Sequence, residues 1–402
     1  MRLPHTPFQK VGKRMIYNFL ALADIHWGTF DSEKTYQNLQ LVLDFIRECK
    51  NEIDFVVICG DYFDYRLQLN SRTALLAVQW MDEFTKTCKV SGVKKIRIVK
   101  GTREHDNDQL EVFRPMEDNS GYFKIFNTTT REDLFDDLSV VYCPDENINL
   151  EDYDQEYWYK FMPPADIGFF HGNWDNVLPT IEFNRIQTQH LPNMIYQYDK
   201  FSHMIKGPMI SGHWHIPTTV DSLYYIGSFD RWKFDEEEPK GFIYGSYNTQ
   251  TSQYYIHRVE NINAPKYISI YAASEDTRLP IHFAKLKEQV KDIVKEDPDM
   301  KLRVVYLMNN QDEEARENFL NFQKHFSNSR QIKVTLKDLY KKEQKKKEKI
   351  RDDMISDKFN YIYSSDVTKI PSIIHQFIID KNNQDVPLET IEKYVGKYLK
   401  EL

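Results

Sequence analysis

The fold of this chain can be read outward from Phe55-Val56-Val57-Ile58-Cys59-Gly60-Asp61-Tyr62-Phe63-Asp64. Five apolar, mostly β-branched residues form a run short enough for a buried strand. The run breaks at a glycine, which lets the backbone turn tightly, and two carboxylates follow. Open α/β sheets place their sites outside the carboxyl ends of such strands. Before this stretch, Ile16–Ala23 reads as a strand that ends in Asp24-Ile25-His26, and Glu33–Lys50 carries Leu39, Leu41, Val42, Phe45 and Ile46 close to one helical face. After it, Thr73–Thr87 reads as a second helix, and the strand Lys95–Val99 runs into Gly101-Thr102-Arg103-Glu104-His105-Asp106. Strand–helix–strand–helix–strand predicts parallel pairing through crossover helices.

Further strands are expected over Ser139–Cys143, Ile167–Phe170, Met209–Ser211, Tyr224–Gly227, Phe242–Tyr247 and Tyr254–Val259. From about residue 205 they follow one another closely, which predicts an antiparallel half. Two of them end in His171-Gly172-Asn173 and Gly212-His213-Trp214-His215. Ala264-Pro265 opens a new pattern of strands Tyr267–Ala272, Leu302–Leu307 and Ile332–Leu336 with helices His282–Lys295 and Glu313–Phe326. The expected organisation is an N-terminal tail at 1–15, a main α/β (α+β) domain at 16–262, a small α/β domain at 265–338 and a tail at 339–402. That tail holds a strip at 341–351 with seven basic and two acidic residues. Two amphipathic helices, Val367–Ile379 and Leu388–Leu399, are expected beyond it.

The chain has 402 residues, of which 41% are hydrophobic, and a net charge of −8. That excludes a disordered chain and a uniformly basic nucleic-acid coat, but not a local basic patch. No stretch approaches the roughly 18 apolar residues of a membrane span. Cys49, Cys59, Cys88 and Cys143 are widely spaced with no CxxC pair, which argues against a disulfide scaffold or zinc knuckle. The N-terminus lacks the apolar core of a signal peptide, so a cytoplasmic protein is expected.

Five of the twelve histidines, His26, His105, His171, His213 and His215, fall in the strand-end motifs. In D-x-H and H-x-H on an extended segment, residues i and i+2 project to the same side and can converge. Imidazole with carboxylate suits manganese, iron or zinc better than calcium. The set is too large for one tetrahedral ion, and two ions bridged by a carboxylate would use all of it. His5, His190, His203, His257, His282, His325 and His375 have no partner spacing and read as ordinary surface or core residues.

The order D-x-H, G-D-x-x-D, a glycine…His-Asp element, H-G and G-H-x-H resembles the calcineurin-like metallophosphoesterases. More narrowly it resembles the SbcD-type nuclease subunits of double-strand-break repair complexes, including phage recombination endonuclease subunits. Gly60-Asp61-Tyr62-Phe63-Asp64-Tyr65-Arg66, Tyr225-Ile226-Gly227-Ser228-Phe229 and Pro239-Lys240-Gly241-Phe242 carry this narrower likeness. The resemblance implies a two-sheet β-sandwich flanked by helices, with a small capping domain and a helical partner-binding tail. It also implies Asp24, His26 and His215 on one divalent ion, His171 and His213 on the other, and Asp61 between them. Manganese is the first expectation, with magnesium, iron or zinc as alternatives. His105 would be general acid or transition-state stabiliser, while Asp64 and Asp106 would hold loops and imidazoles in place.

The family usually reads Gly-Asn-His-Asp or Gly-Asn-His-Glu where this chain has Gly101 to Asp106. Anchored on His105, Glu104 stands in the asparagine's place as a ligand; anchored on Gly101, Thr102 does. Arg66, Arg231, Trp232 and Lys233 beside the motifs could touch a phosphate backbone or a base. By the same resemblance the substrate is DNA and the partner an SbcC-type coiled-coil ATPase. The partner would be gripped through Ile373, Ile374, Phe377, Ile391 and Leu399. A homodimer within a heterotetramer is also implied, with helices near 73–87 and 107–120 as the candidate contact, in a bacterial or phage-infected cell. A small-molecule or protein phosphoesterase, or an impaired DNA-binding scaffold subunit, are the competing expectations.

Overall fold

The computed structural model of the protein describes residues 15–29, 31–145, 162–177, 195–234, 236, 238–273, 280–296, 300–308, 313–329 and 331–338. The expected tail before Met15, the basic strip at 341–351 and the terminal helices with Ile373, Ile374, Phe377, Ile391 and Leu399 lie outside the described residues.

Four strands run parallel side by side: β1 (Ile16–Leu22), β2 (Phe55–Cys59), β3 (Lys95–Val99) and β4 (Phe123–Phe126). The alternation of their side chains explains the layers. Leu20, Leu22, Val56, Ile58, Ile96 and Ile98 point to one face and pack on helices, whereas Phe19, Ala21, Phe55, Val57 and Val99 point to the other. The helices are α1 (Ser32–Glu48) and α2 (Arg72–Val90). Asp31 caps α1 by accepting from the Glu33 N–H, and Ser71 caps α2 by accepting from the Ala74 N–H. Leu39, Val42, Leu43 and Ile46 of α1 meet Ala77, Trp80, Met81 and Phe84 of α2 in the same cluster.

A second sheet covers the other face, in the order β11-β12-β10-β7-β6-β5. Its strands are β5 (Thr130–Phe135), β6 (Leu138–Cys143), β7 (Ile167–His171), β10 (Met209–Gly212), β11 (Thr218–Val220) and β12 (Leu223–Tyr225). The sheets meet through aromatic rings: Phe169 stands edge-on to Phe19 and Phe55, with centroids 5.6 and 6.0 Å away. The outer face of this sheet is covered by the two-stranded pair β8 (Asn173–Trp174) and β9 (Ile195–Tyr196) and by the short helix α3 (Tyr198–Met204), which contribute Trp174, Tyr196 and Phe201. The expected sandwich of two sheets with helices outside is present.

The expected antiparallel half is only partly so. β13 (Gly241–Asn248) and β14 (Tyr254–Glu260) do add antiparallel to the β1 edge. β10, however, pairs in parallel with both β7 and β12. The reason is the hairpin β11–β12: reversing twice, it returns the chain alongside β10 in the original direction.

Among the described residues from 267 onward is a three-stranded sheet, β15 (Tyr267–Ala273), β16 (Lys301–Met308) and β17 (Ile332–Asp338), in that order. Two helices accompany it, α4 (Pro280–Glu296) and α5 (Glu313–Phe326). Leu286, Val290, Leu302, Val304, Tyr306, Phe319 and Phe322 are buried in it. A division of the chain into two compact units falls within β15, between residues 269 and 270, with residues 294–303 counted in the first unit.

Candidate metal centre

The site stands where the parallel strands of both sheets end. Asp24 follows β1, Asp61 follows β2 and Thr102 follows β3, while His171 closes β7 and His213 follows β10. The chains leaving β1 and β2 stay zipped together: the N–H groups of Asp24, His26 and Trp27 donate to the carbonyls of Gly60, Asp61 and Tyr62 at 3.0, 3.0 and 2.9 Å. Asp24, His26, Asp61 and His213 all hold positive φ (51°, 52°, 49° and 87°). Such conformations cost about 1–3 kcal/mol each in a non-glycine residue and concentrate at functional sites. A Cβ on Gly101 would overlap the Asp61 backbone nitrogen and carboxylate, so only glycine lets the loop after β3 press against that acid.

Three groups of side chains converge. In the first, His26 Nε2 and His215 Nε2 are 3.0 Å apart, and each lies 4.0 Å from Asp24 Oδ1. Asp61, His171 and His213 make the second, with His171 Nε2 at 3.2 Å from Asp61 Oδ2. Asp61 Oδ2 is also 3.9 Å from His26 Nε2, so one oxygen faces both groups. The third group is His26, Asp64 and His105, reached through the other nitrogen of His26, whose Nδ1 is 3.2 Å from Asp64 Oδ1. His105 donates from Nδ1 to the Asp64 carbonyl, and its Nε2 faces Asp61 Oδ2, 3.9 Å away.

The electrostatics are those of a compact set of buried acids and imidazoles. Burial would raise Asp61, but His171 first, then His26 and His105, hold it well below the usual carboxylate range. Burial works against a charge on His171 too, yet Asp61 and Asp24 push that imidazole up to about 10. Burial, helped by His171, drives His213 down to about 3, which leaves it a neutral ligand. Burial raises Asp24, opposed by His171 and His215. Burial and the neighbouring Asp61 carry Asp106 to about 6, against the N–H groups of Phe63 and Gly101 that it accepts from.

The residues fit divalent cations. His171 Nε2 is buried with no hydrogen-bond partner although it faces the acid. Two imidazole nitrogens 3.0 Å apart have the spacing of neighbouring ligands about 2.0–2.2 Å from one ion. A cation would take the place of the His171 proton, as metals compete with protons for such ligands.

Asp24, His26, Asp61, His171, His213 and His215 are thus brought together, with His105 and Asp64 beside them and Asp106 beneath the loop. Glu104 is not: it is exposed and stands in none of the three groups. The Asp106 and His105 N–H groups both turn back to the Thr102 carbonyl, and this tight turn swings residue 104 outward. Thr102 takes the inner place, its N–H and hydroxyl donating to Asp61 Oδ1 at 2.7 and 3.0 Å. Arg66 is exposed, and Lys233 is 71% exposed with its ammonium 3.9 Å from Glu236. Arg231 is turned inward instead, donating to the carbonyls of Glu236, Glu238 and Pro265. Trp232 lies edge-on to His26 at 5.8 Å between centroids.

Glu236 went unread in the sequence. It is 1% exposed, and its Oε1 lies 3.1 Å from His215 Nδ1. Lying in the acidic run Asp235–Glu238, it has the look of solvent-facing charge; the neighbouring Pro239-Lys240-Gly241 was the available signal.

Residues 17–249, more than half of the chain, match the family described as calcineurin-like phosphoesterase. The chain belongs to that family. The phosphoesterase is therefore a metal-dependent hydrolase of phosphoesters, and its convergent acids and imidazoles are the candidate ligands. No curated protein sequence matches this phosphoesterase. Among its described residues, no helix is long and apolar enough to cross a membrane.

Proposed function

We propose that the chain is the nuclease subunit of an SbcCD-like repair or recombination complex, cutting DNA phosphodiesters with two divalent ions, manganese first among them. The observation that carries the two-ion reading is Asp61 Oδ2, which faces His26 on one side and His171 on the other. Asp24, His26 and His215 would hold one ion, His171 and His213 the other, and Asp61 both. Bound there, the pair supplies a nucleophile from water at neutral pH and neutralises charge on the phosphoryl oxygens. His105, 30% exposed at the rim, is the proton donor: with Nδ1 tied to the Asp64 carbonyl, its protonated ring presents Nε2–H to the leaving oxygen. Asp64 orients His26 and His105, and Asp106 braces the loops at Phe63 and Gly101.

The DNA assignment is supported by the Gly60–Arg66, Tyr225–Phe229 and Pro239–Phe242 phrases and by the appended α/β unit, read here as a capping domain. The ATPase partner and the role of the C-terminal helices rest on sequence alone. Manganese-dependent cleavage of linear double-stranded DNA, with and without a co-expressed ATPase partner and with His105→Ala as control, tests the reading. Preference for a soluble monoester would place the chain among small-molecule or protein phosphoesterases. Metal binding without hydrolysis would make it a scaffold subunit. Deleting residues 352–402 should abolish partner association and spare hydrolysis of a small phosphodiester.

A further inference from the structure

The two ion positions are not built alike. Behind the first, His215 Nδ1 is hydrogen-bonded to Glu236 Oε1 at 3.1 Å, and His26 Nδ1 lies 3.2 Å from Asp64 Oδ1 without the geometry of a hydrogen bond. Glu236 is itself fixed. Its Oε2 receives the Lys240 ammonium at 3.1 Å and the backbone N–H of Trp232 at 3.2 Å. Lys240, 1% exposed, donates onward to the His215 carbonyl at 2.7 Å. A buried acid and a buried ammonium are costly apart and tolerable only in mutual contact with their remaining hydrogen bonds made. Lys240 thus grips His215 through its backbone while Glu236 grips the ring.

Behind the second position stands a neutral group, since His171 Nδ1 donates to the Cys59 carbonyl at 2.7 Å. Among the described residues no carboxylate backs His171 or His213. Asp61 Oδ1 is occupied by Thr102, which leaves Oδ2 to face the ions. Asp24 converges with His26 and His215, and Asp61 Oδ2 faces His26 as well, so two carboxylates serve the first position, although the Asp24 oxygens also accept from the His213 backbone N–H at 3.0 and 3.1 Å. The carboxylate that converges with His171 and His213 is that of Asp61. A carboxylate behind a ligating imidazole fixes its tautomer, raises its basicity and is typically worth about 10–100-fold in metal affinity.

We infer that the Asp24–His26–His215 position fills first and holds its ion tightly, that the Asp61–His171–His213 position is the weaker and exchanging one, and that Glu236, locked by Lys240, is a positioning residue that maintains this difference. This rests on the two-ion reading of the centre but not on DNA being the substrate.

The test is a titration of the full-length protein with manganese, followed by the electron paramagnetic resonance signal of the free ion, with no substrate present. The wild-type protein should bind two ions with affinities at least about tenfold apart. His171→Ala should remove the weaker class and His215→Ala the tighter. Glu236→Gln should weaken the tighter class about 10–100-fold and leave the weaker unchanged, with Glu236→Asp intermediate. Far-ultraviolet circular dichroism and thermal unfolding of each variant show whether it is folded. Two ions of equal affinity, or a Glu236→Gln effect shared equally by both classes in a folded protein, would overturn the inference. Fewer than two ions on the wild-type protein would instead overturn the two-ion reading.

Discussion

Asp61 is the residue on which both proposed ion positions would depend, and its two oxygens have separate surroundings. Oδ1 is tied to Thr102 and Oδ2 faces the imidazoles. Asp61→Asn should therefore reduce metal-dependent hydrolysis of a small phosphodiester more than His105→Ala does. The latter should cost about 10²–10⁴ in kcat, the usual contribution of a general acid. Near-normal activity in Asp61→Asn would remove the bridging role. Asp230 offers a second test. Burial raises its carboxyl to about 7, against the amides of Asn38 and Asn261 that both donate to Oδ1. The folded state thus keeps a proton that the unfolded chain, near 3.8, gives up. The group's contribution to stability is fullest below about pH 4, declines as pH rises toward 7, and is constant above. Relative to wild type, Asp230→Asn should gain melting temperature at pH 8 compared with pH 5; a pH-independent difference would contradict this. Strand-end acids and histidines were legible in the sequence because chemistry at strand termini leaves a short local signature. Glu236 was not, because an acid that pairs with a lysine four positions on looks like any solvated pair until both are found buried.

At the scale of elements, the described residues between Ser228 and Lys240 act as a strap. Asp230 pins one end against α1 and Asn261, Arg231 ties the carbonyls of Glu236, Glu238 and Pro265, and Trp232 and Glu236 reach the histidines. From the sequence Arg231 could touch a phosphate backbone or a base; its hydrogen bonds run to carbonyls of the protein. Arg231→Met should cost about 1–3 kcal/mol in chemical denaturation, the range for losing hydrogen bonds made by a charged donor, and should weaken manganese binding through the loosened Glu236. Unchanged stability and unchanged binding would show the strap to be idle. The strands legible in advance were mostly those with strong apolar runs, β1 to β3, β6, β7, β10 and β12 to β17. β4 and β5 escaped notice because Lys124 and the Thr130-Arg131-Glu132-Asp133 stretch place charges among their apolar residues, as positions near sheet edges allow. The parallel seating of β10 escaped for a different reason: neighbouring strands in sequence suggest hairpins, and nothing local announces a double reversal.

Across the whole molecule, each candidate ion draws on both sheets. Asp24, His26 and Asp61 come from the sheet of β1 and β2, and His171, His213 and His215 from the sheet of β7 and β10. The two sheets are held face to face by the Phe19, Phe55 and Phe169 contacts. Phe169→Ala should cost about 3–5 kcal/mol of stability, the usual range for deleting a buried ring, measured by denaturant unfolding. A loss under 1 kcal/mol would mean the layers are held elsewhere. The centre is in effect a rivet through two plates. Whatever lets one plate slide changes the spacing of the rivet holes, so damage deep in the aromatic seam should register as poorer cation retention at a distance, and a seated pair of cations should in turn clamp the plates and delay their parting on heating.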